Sequence, residues 1–372
     1  MDDQNTLLEL YKLEGATALE IATQALPIMI SSTSEAVSIK CYEMLKNSLA
    51  SLDLSIFNNY LSQASSCLSS PNVQLVRLGI DLVQNAIKRN IDVDDILQID
   101  QSIITNLARC LSLDDGKIAS KASLTLFNLL NGAQIYTHIN SVALEFHLLL
   151  KANKSVAFRA MEFLSRLASQ SVSIYNLLNK HGLVFHLKDL PDDGDILAAL
   201  NTVELYILIC EDVEAHGKSV LEHSGVLPKL LSKLEQPEDD VFQSLLKCAI
   251  IKFWGFFFQG KIAVAKSADV LQALTNCMQE SDEVQNAVVC AVARIGSSVP
   301  GLVILSETPL LTDAVMHRTR YSVGDTKTIC LKTVAVLLDK NPSPDIDIES
   351  ITKSIFKSMG TAILNISYQP NQ

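Results

Sequence analysis

The feature that most constrains this chain is a repeat. Eight places share one layout, a short polar turn, then Val or Ile, then a densely apolar stretch; the anchors are Val37, Val73, Ile118, Val156, Ile196, Val241, Val284 and Ile329. Successive anchors lie 36, 45, 38, 40, 45, 43 and 45 residues apart. A single hydrophobic core stops growing near about 250–300 residues. The chain has 372, and no Gly/Ser/Pro linker divides it. Extension by repetition answers both facts.

The turns carry helix-start chemistry. Ser70-Pro71-Asn72, Asp114-Asp115-Gly116, Asp192-Asp193-Gly194-Asp195, Glu238-Asp239-Asp240 and Ser281-Asp282-Glu283 each precede an anchor. Asn, Asp and Ser side chains accept from the free N–H groups of a first helical turn, and acids favour the positive end of the helix dipole. At Val37, Ile118, Val156 and Ile329 the anchor is followed four residues later by Cys41, Ala122, Ala160 and Thr333. That spacing puts anchor and small residue on one helix face, where a neighbouring helix can approach. Apolar residues then recur at three and four: Ala122, Leu126, Leu129 and Leu130 in one repeat, Leu245, Ala249, Phe253 and Phe256 in another. No strand alternation with hairpin spacing occurs. A helical unit of roughly 40–47 residues is the period of armadillo and HEAT repeats. The expected fold is an all-α, armadillo/HEAT-like α-solenoid, a right-handed superhelix of about eight stacked repeats over residues 1–372. Residues 341–372, with a short helix around 348–363, are expected to cap it, since terminal repeats are atypical.

Composition excludes several classes. Net charge is −11, which opposes the phosphate attraction behind nucleic-acid binding; basic protein surfaces are the easier partners. The eight cysteines form no CxxC and no zinc-spaced set with histidine. They read as small buried hydrophobes in a reducing compartment, cytoplasmic or nuclear. Met1-Asp2-Asp3 lacks the basic start of a signal peptide. Apolar runs are interrupted by charge, as at Lys252 within 249–258, short of the roughly 18 residues of a membrane span.

Gly217-Lys218-Ser219 imitates the end of a phosphate-binding loop. The glycine such a loop needs five residues earlier is Asp212, and Glu214 also falls inside; two carboxylates would face the phosphates. A hinge explains the segment better. Gly225 supplies a left-handed helix end, Pro228 a helix start, and Asn179–Leu187 repeats the layout 43 residues earlier. His181, His216 and His223 fall in turns and define no ligand set, and the acidic pairs Asp192/Asp193 and Asp239/Asp240 read as helix caps. Neither a cofactor nor a metal is expected, and no catalytic motif is present.

Two features remain for binding. Lys40, Lys121, Arg159, Lys252 and Lys332 recur on the helices after the turns. They form either a ladder that meets an acidic partner or a set paired with neighbouring carboxylates or solvated. Phe253-Trp254-Gly255-Phe256-Phe257-Phe258 is the densest aromatic cluster. It suits a binding anchor or packing between repeats. Trp254 is the only tryptophan, and Phe258 stands four residues on where an import groove would place Asn; nuclear-localisation-signal binding is not expected.

From about residue 180 to 340 the sequence resembles the proteasome non-ATPase regulatory subunit 5 family. The pieces are Gly182-Leu183-Val184, Val220-Leu-Glu-His-Ser-Gly225-Val226, Ile251-Lys252-Phe253-Trp254-Gly255, Met278-Gln-Glu-Ser-Asp282, Ile295-Gly296-Ser-Ser-Val299-Pro-Gly301 and Cys330-Leu-Lys-Thr-Val-Ala-Val-Leu-Leu338, in order and at similar spacing. The first 180 residues match in repeat layout. The resemblance implies a non-enzymatic chaperone for the base of the proteasome regulatory particle, which binds ATPase subunits and leaves before the complete proteasome forms. The broken apolar runs give no expectation of a membrane role, and a monomer within a heteromeric intermediate is the default. An adaptor of the same fold in transport or vesicle tethering is the alternative expectation.

Overall fold

A computed structural model describes residues 3–131, 134–191, 195–211, 216–236, 241–259, 267–306, 308–322 and 324–340. Among these every regular element is a helix, and they form two compact units: Met1–Leu167 with Ser173–Leu183, and Ala168–Val172 with Val184–Gln372. The expected cap at 341–372 lies outside the described residues, as do the turn acids Asp192, Asp193, Asp239 and Asp240 and loop positions Asp212 and Glu214.

The first unit runs through α1 (Asp3–Lys12), α2 (Ala18–Ser31), α3 (Glu35–Ser51), α4 (Leu54–Leu61), α5 (Ala64–Leu68), α6 (Val73–Lys88), α7 (Val93–Ile99), α8 (Ser102–Arg109), α9 (Gly116–Leu130), α10 (Gln134–Leu150), α11 (Lys154–Ala168) and α12 (Val172–Lys180). The anchor helices α3, α6 and α9 pack each on the next, and α5, α8 and α10 make a second row behind them. Stacked Phe146 and Phe163 (5.2 Å) and edge-on Phe127 and Phe163 (6.5 Å) bring α11 against α10 and α9.

The second unit holds a 3-10 turn at Phe185–Leu187, then α13 (Ile196–Glu211), α14 (Gly217–Ser224), α15 (Leu227–Leu234), α16 (Val241–Phe258), α17 (Ser267–Cys277), α18 (Asp282–Gly296), α19 (Val299–Ser306), α20 (Pro309–Tyr321) and α21 (Gly324–Lys340). Here α13, α16, α18 and α21 form the anchor row, while α15, α17 and α20 line up beside it. No single helix of this kind shields its own apolar side, so each repeat is stable only against its neighbours.

The starts at Asn72, Asp115 and Asp195 follow the sequence signals, whereas the Ser281 side chain makes no cap bond to α18. The Asn72 side chain accepts from the Gln74 N–H at 2.9 Å. Asp115 accepts from Lys117 and Ile118, and the Ile118 N–H foremost pulls its pKa below the usual carboxylate value. The four small residues after the anchors, Cys41, Ala122, Ala160 and Thr333, are all buried. So are Ala122, Leu126, Leu129 and Leu130 on α9.

The anchors themselves divide by register. Val37, Ile118, Val156 and Val284 stand at the third helical position and are buried. Val73 and Val241 open their helices and are exposed, while Ile196, which also opens its helix, is half-buried. Leu245, the fifth residue of α16, departs from expectation. It is exposed, whereas Ala249, Phe253 and Phe256 are buried as expected and Leu246, Ile250 and Phe257 join them in the core. The run broken at Lys252 by composition is also one helix of 18 residues, long and apolar enough to cross a membrane. Most of it is buried between α13 and α18, which is the setting of a core helix.

Gly225 ends α14 with φ 80° in the left-handed region, and Pro228 opens α15. The Gly-Lys-Ser triplet has structural work. A Cβ on Gly217 would land inside the Ile209 carbonyl of α13, and one on Gly301 would do the same to Ile295 of α18. Lys218 donates to the Gln259 carbonyl just past α16. The glycine marks a close corner and the lysine stops a helix end.

Candidate partner-binding surface

Four of the five recurrent cations reach other parts of the chain. Lys40 pairs with Glu14 at 2.5 Å and lies 4.2 Å over the Tyr11 ring. Lys121 on α9 pairs with Asp81 on α6. Arg159 on α11 donates to the carbonyls of Leu111 (2.9 Å) and Leu113 (2.7 Å) in the preceding turn. Lys252 on α16 meets Glu204 on α13 at 3.0 Å. Lys332 is exposed. Four members of the row are ties from one repeat to the one before. The exposed ones are weak: a pair like Lys252–Glu204, half exposed on both sides, is worth about 0–1 kcal/mol.

Two ties go deeper. Asp81, buried, accepts from Tyr42 Oη of α3 at 2.8 Å and from Lys121 of α9, so one carboxylate joins three repeats. Burial first, and the Asp81 contact second, push the Tyr42 phenol well above its ordinary pKa. Arg89 donates to the carbonyls of Leu52 (2.8 Å), Leu49 (3.1 Å) and Ala50 (2.7 Å) at the end of α3. Its guanidinium also covers the Phe57 ring at 4.3 Å. Those are carbonyls that a helix end leaves without partners.

The aromatic cluster is core. Phe253, Trp254, Phe256, Phe257 and Phe258 are all buried. Tyr206 meets Phe253 edge-on at 6.1 Å, and Trp254 stacks on Phe258 at 5.5 Å. These side chains are not available as binding anchors.

What the surface offers lies one to three turns earlier. Leu197 on α13 and Val241, Phe242 and Leu245 on α16 are 66, 75, 55 and 50% exposed. A small cavity beside them is lined by Ile196, Lys233, Gln236, Gln243, Leu246, Lys247 and Ile250. An open cleft of about 360 Å³ lies between Asp189, Leu190, Pro191 and Pro228, with Lys229 and Asp189 paired at 2.8 Å in its wall. The signal for the apolar patch was in the sequence: Val241-Phe242 stands directly after a polar turn, and α16 is too apolar for one buried face. Among the described residues no three His, Cys, Asp or Glu side chains gather as metal ligands. All eight cysteines are free thiols, and burial raises Cys41, Cys67 and Cys110 to about 11.

This geometry defines a class: an all-α solenoid of stacked helical repeats. A Kap121p mutant shares it, at TM-score 0.53 and 12% identity, over 91% of this chain and 34% of that one; at such identity the likeness is one of fold. An engineered protein (TM-score 0.40, 14% identity, 93% and 86% covered) and a designed armadillo repeat protein solved with the peptide (KR)4 (TM-score 0.38, 18% identity, 63% and 99% covered) are also similar. No curated protein matches the sequence. The family model described as proteasome non-ATPase 26S subunit matches residues 14–371, and the chain belongs to that family.

Proposed function

We propose that this protein is a non-enzymatic chaperone for assembly of the proteasome regulatory-particle base. It binds one or more ATPase subunits through its solenoid surface and is released before the mature particle forms. The observation that carries this reading is the family match over residues 14–371. The fold supports it, because stacked repeats give a long continuous surface suited to gripping another protein. An acidic surface also speeds encounter with basic partners. A specific complex would bury on the order of 1,200–2,000 Å², which helices of two or three repeats can supply. Bound there, the chain would mask surface that an ATPase needs for a later docking step, and so order the assembly. The setting is the cytoplasm, or the nucleus as well.

The test is capture of individually purified base ATPases by the immobilised full chain. Enrichment of at least one over an unrelated solenoid is expected. Equal recovery of all of them on both supports would end the proposal.

A further inference from the structure

We infer that the N-terminal ends of α13 and α16 form a docking surface for an amphipathic partner helix with an apolar stripe beside a basic edge. This rests on the reading above, that the chain works by holding a protein partner, and names where and what it holds. Single exposed apolar residues are ordinary on a protein surface. Four together, Leu197, Val241, Phe242 and Leu245, each at least half exposed, are not, and such a patch marks an interaction site.

The four belong to one surface by register. Lys252 and Glu204 meet across α16 and α13. Seven residues back on each helix, about two turns, are Leu245 and Leu197. Ile196 shares the small cavity with Gln243, Leu246 and Ile250, so the two helices run side by side at this end. Val241 and Leu245, and Phe242 and Leu245, have the spacings of four and three that align on one helix face. A shallow apolar trough between two parallel helices accepts a third helix laid along it.

Charge selects which helix. The Arg294 guanidinium of α18 lies 3.5 Å from the centre of the Phe256 ring of α16. Eleven residues back on each, about three turns, are Glu283 and Leu245. Glu283 is exposed; the neighbouring Asp282 is paired with Arg318 and adds no net charge. Asp195 stands before α13 on the other flank, accepting from the Ala198 N–H. Each helix start contributes only about half a positive charge, less than the full unit on each carboxylate. Of the lysines nearby, Lys247 is buried against Glu280, Lys252 is paired with Glu204, and Lys233 is half-buried in the wall of the small cavity. The trough is thus apolar along its floor, with the carboxylates of Glu283 and Asp195 at its two edges. Lysine or arginine beside a leucine stripe complements it; an acidic edge does not.

The probes are two synthetic helices about five turns long, identical in their leucine stripe, one with Lys and one with Glu along the edge. Anisotropy titrations with the full chain should show the Lys helix binding about ten-fold tighter or more. The paired variant Phe242→Glu/Leu245→Glu should lose that binding, while Leu144→Glu, an exposed position on α10, should not. Glu283→Lys should narrow or reverse the preference. Equal affinity for the two probes, or binding untouched by the paired variant, overturns the inference. So does a concentration-dependent dimer that the paired variant abolishes, since the face then belongs to a second copy. In the ATPase capture the paired variant should recover less than wild type. If both recover an ATPase equally, this surface is wrong and the chaperone reading stands. If wild type recovers none yet binds the Lys helix through this face, the reading is wrong and the surface stands.

Discussion

The middle anchor helices of the two units, α6 and α16, hold their neighbours by different means. On α6 the central group is a carboxylate, Asp81, gripped by a phenol from the helix before and an ammonium from the helix after. On α16 it is hydrocarbon: Phe253 against Tyr206, with Trp254, Phe257 and Phe258 beside it. The aromatic solution contributes more stability per residue, because each ring removes a large apolar area from water. The polar solution contributes less but admits one register, since a slipped helix leaves a buried carboxylate unsatisfied.

Phe253→Ala should produce the largest effect, because the site cannot collapse around a missing ring. A loss of about 3–5 kcal/mol is expected in urea unfolding. If the loss instead falls below that of a first-unit staple, the contrast between the units is broken. Arg89→Ala comes next. It strips three helix-end carbonyls of a charged donor, and about 2–3 kcal/mol should go. A normal unfolding midpoint in that variant would mean that water serves those carbonyls equally well.

The smallest expected effect is alkaline and sharpens the comparison within the first unit. Cys41, Cys67 and Cys110 shift from 9.0 to about 11 by burial, and Tyr42 shifts upward too. The unfolded thiols ionise first as pH rises, so folding stability is full below pH 9 and falls as pH climbs from there through 11. Cys67→Ala should reduce that fall by about 1–2 kcal/mol. An identical pH profile for the variant and wild type would place the alkaline sensitivity elsewhere.

Much of this was readable beforehand. The spacing of the anchors, the turn caps at Asn72 and Asp115 and the hinge at Gly225 follow from local backbone chemistry, and they appear where the sequence places them. The exposure of Val73, Val241 and Leu245 was not readable, because it depends on which face of each helix its neighbours cover. The cations show the same limit. Their recurrence is visible in the sequence, but Lys121, Arg159 and Lys252 find their partners some 40–48 residues away, a distance no local pattern encodes. The apolar patch had a signal in Val241-Phe242 directly after a polar turn, but which face of α16 stays uncovered had none, because the helix is apolar on nearly every side.

The direction of those staples has a consequence for synthesis on the ribosome. Arg89 closes the end of α3, Lys121 completes Asp81, and Arg318 reaches back to Asp282. In these three places a repeat is finished by residues translated one unit later. A growing chain always carries one open edge at its newest end, and any truncated fragment inherits it.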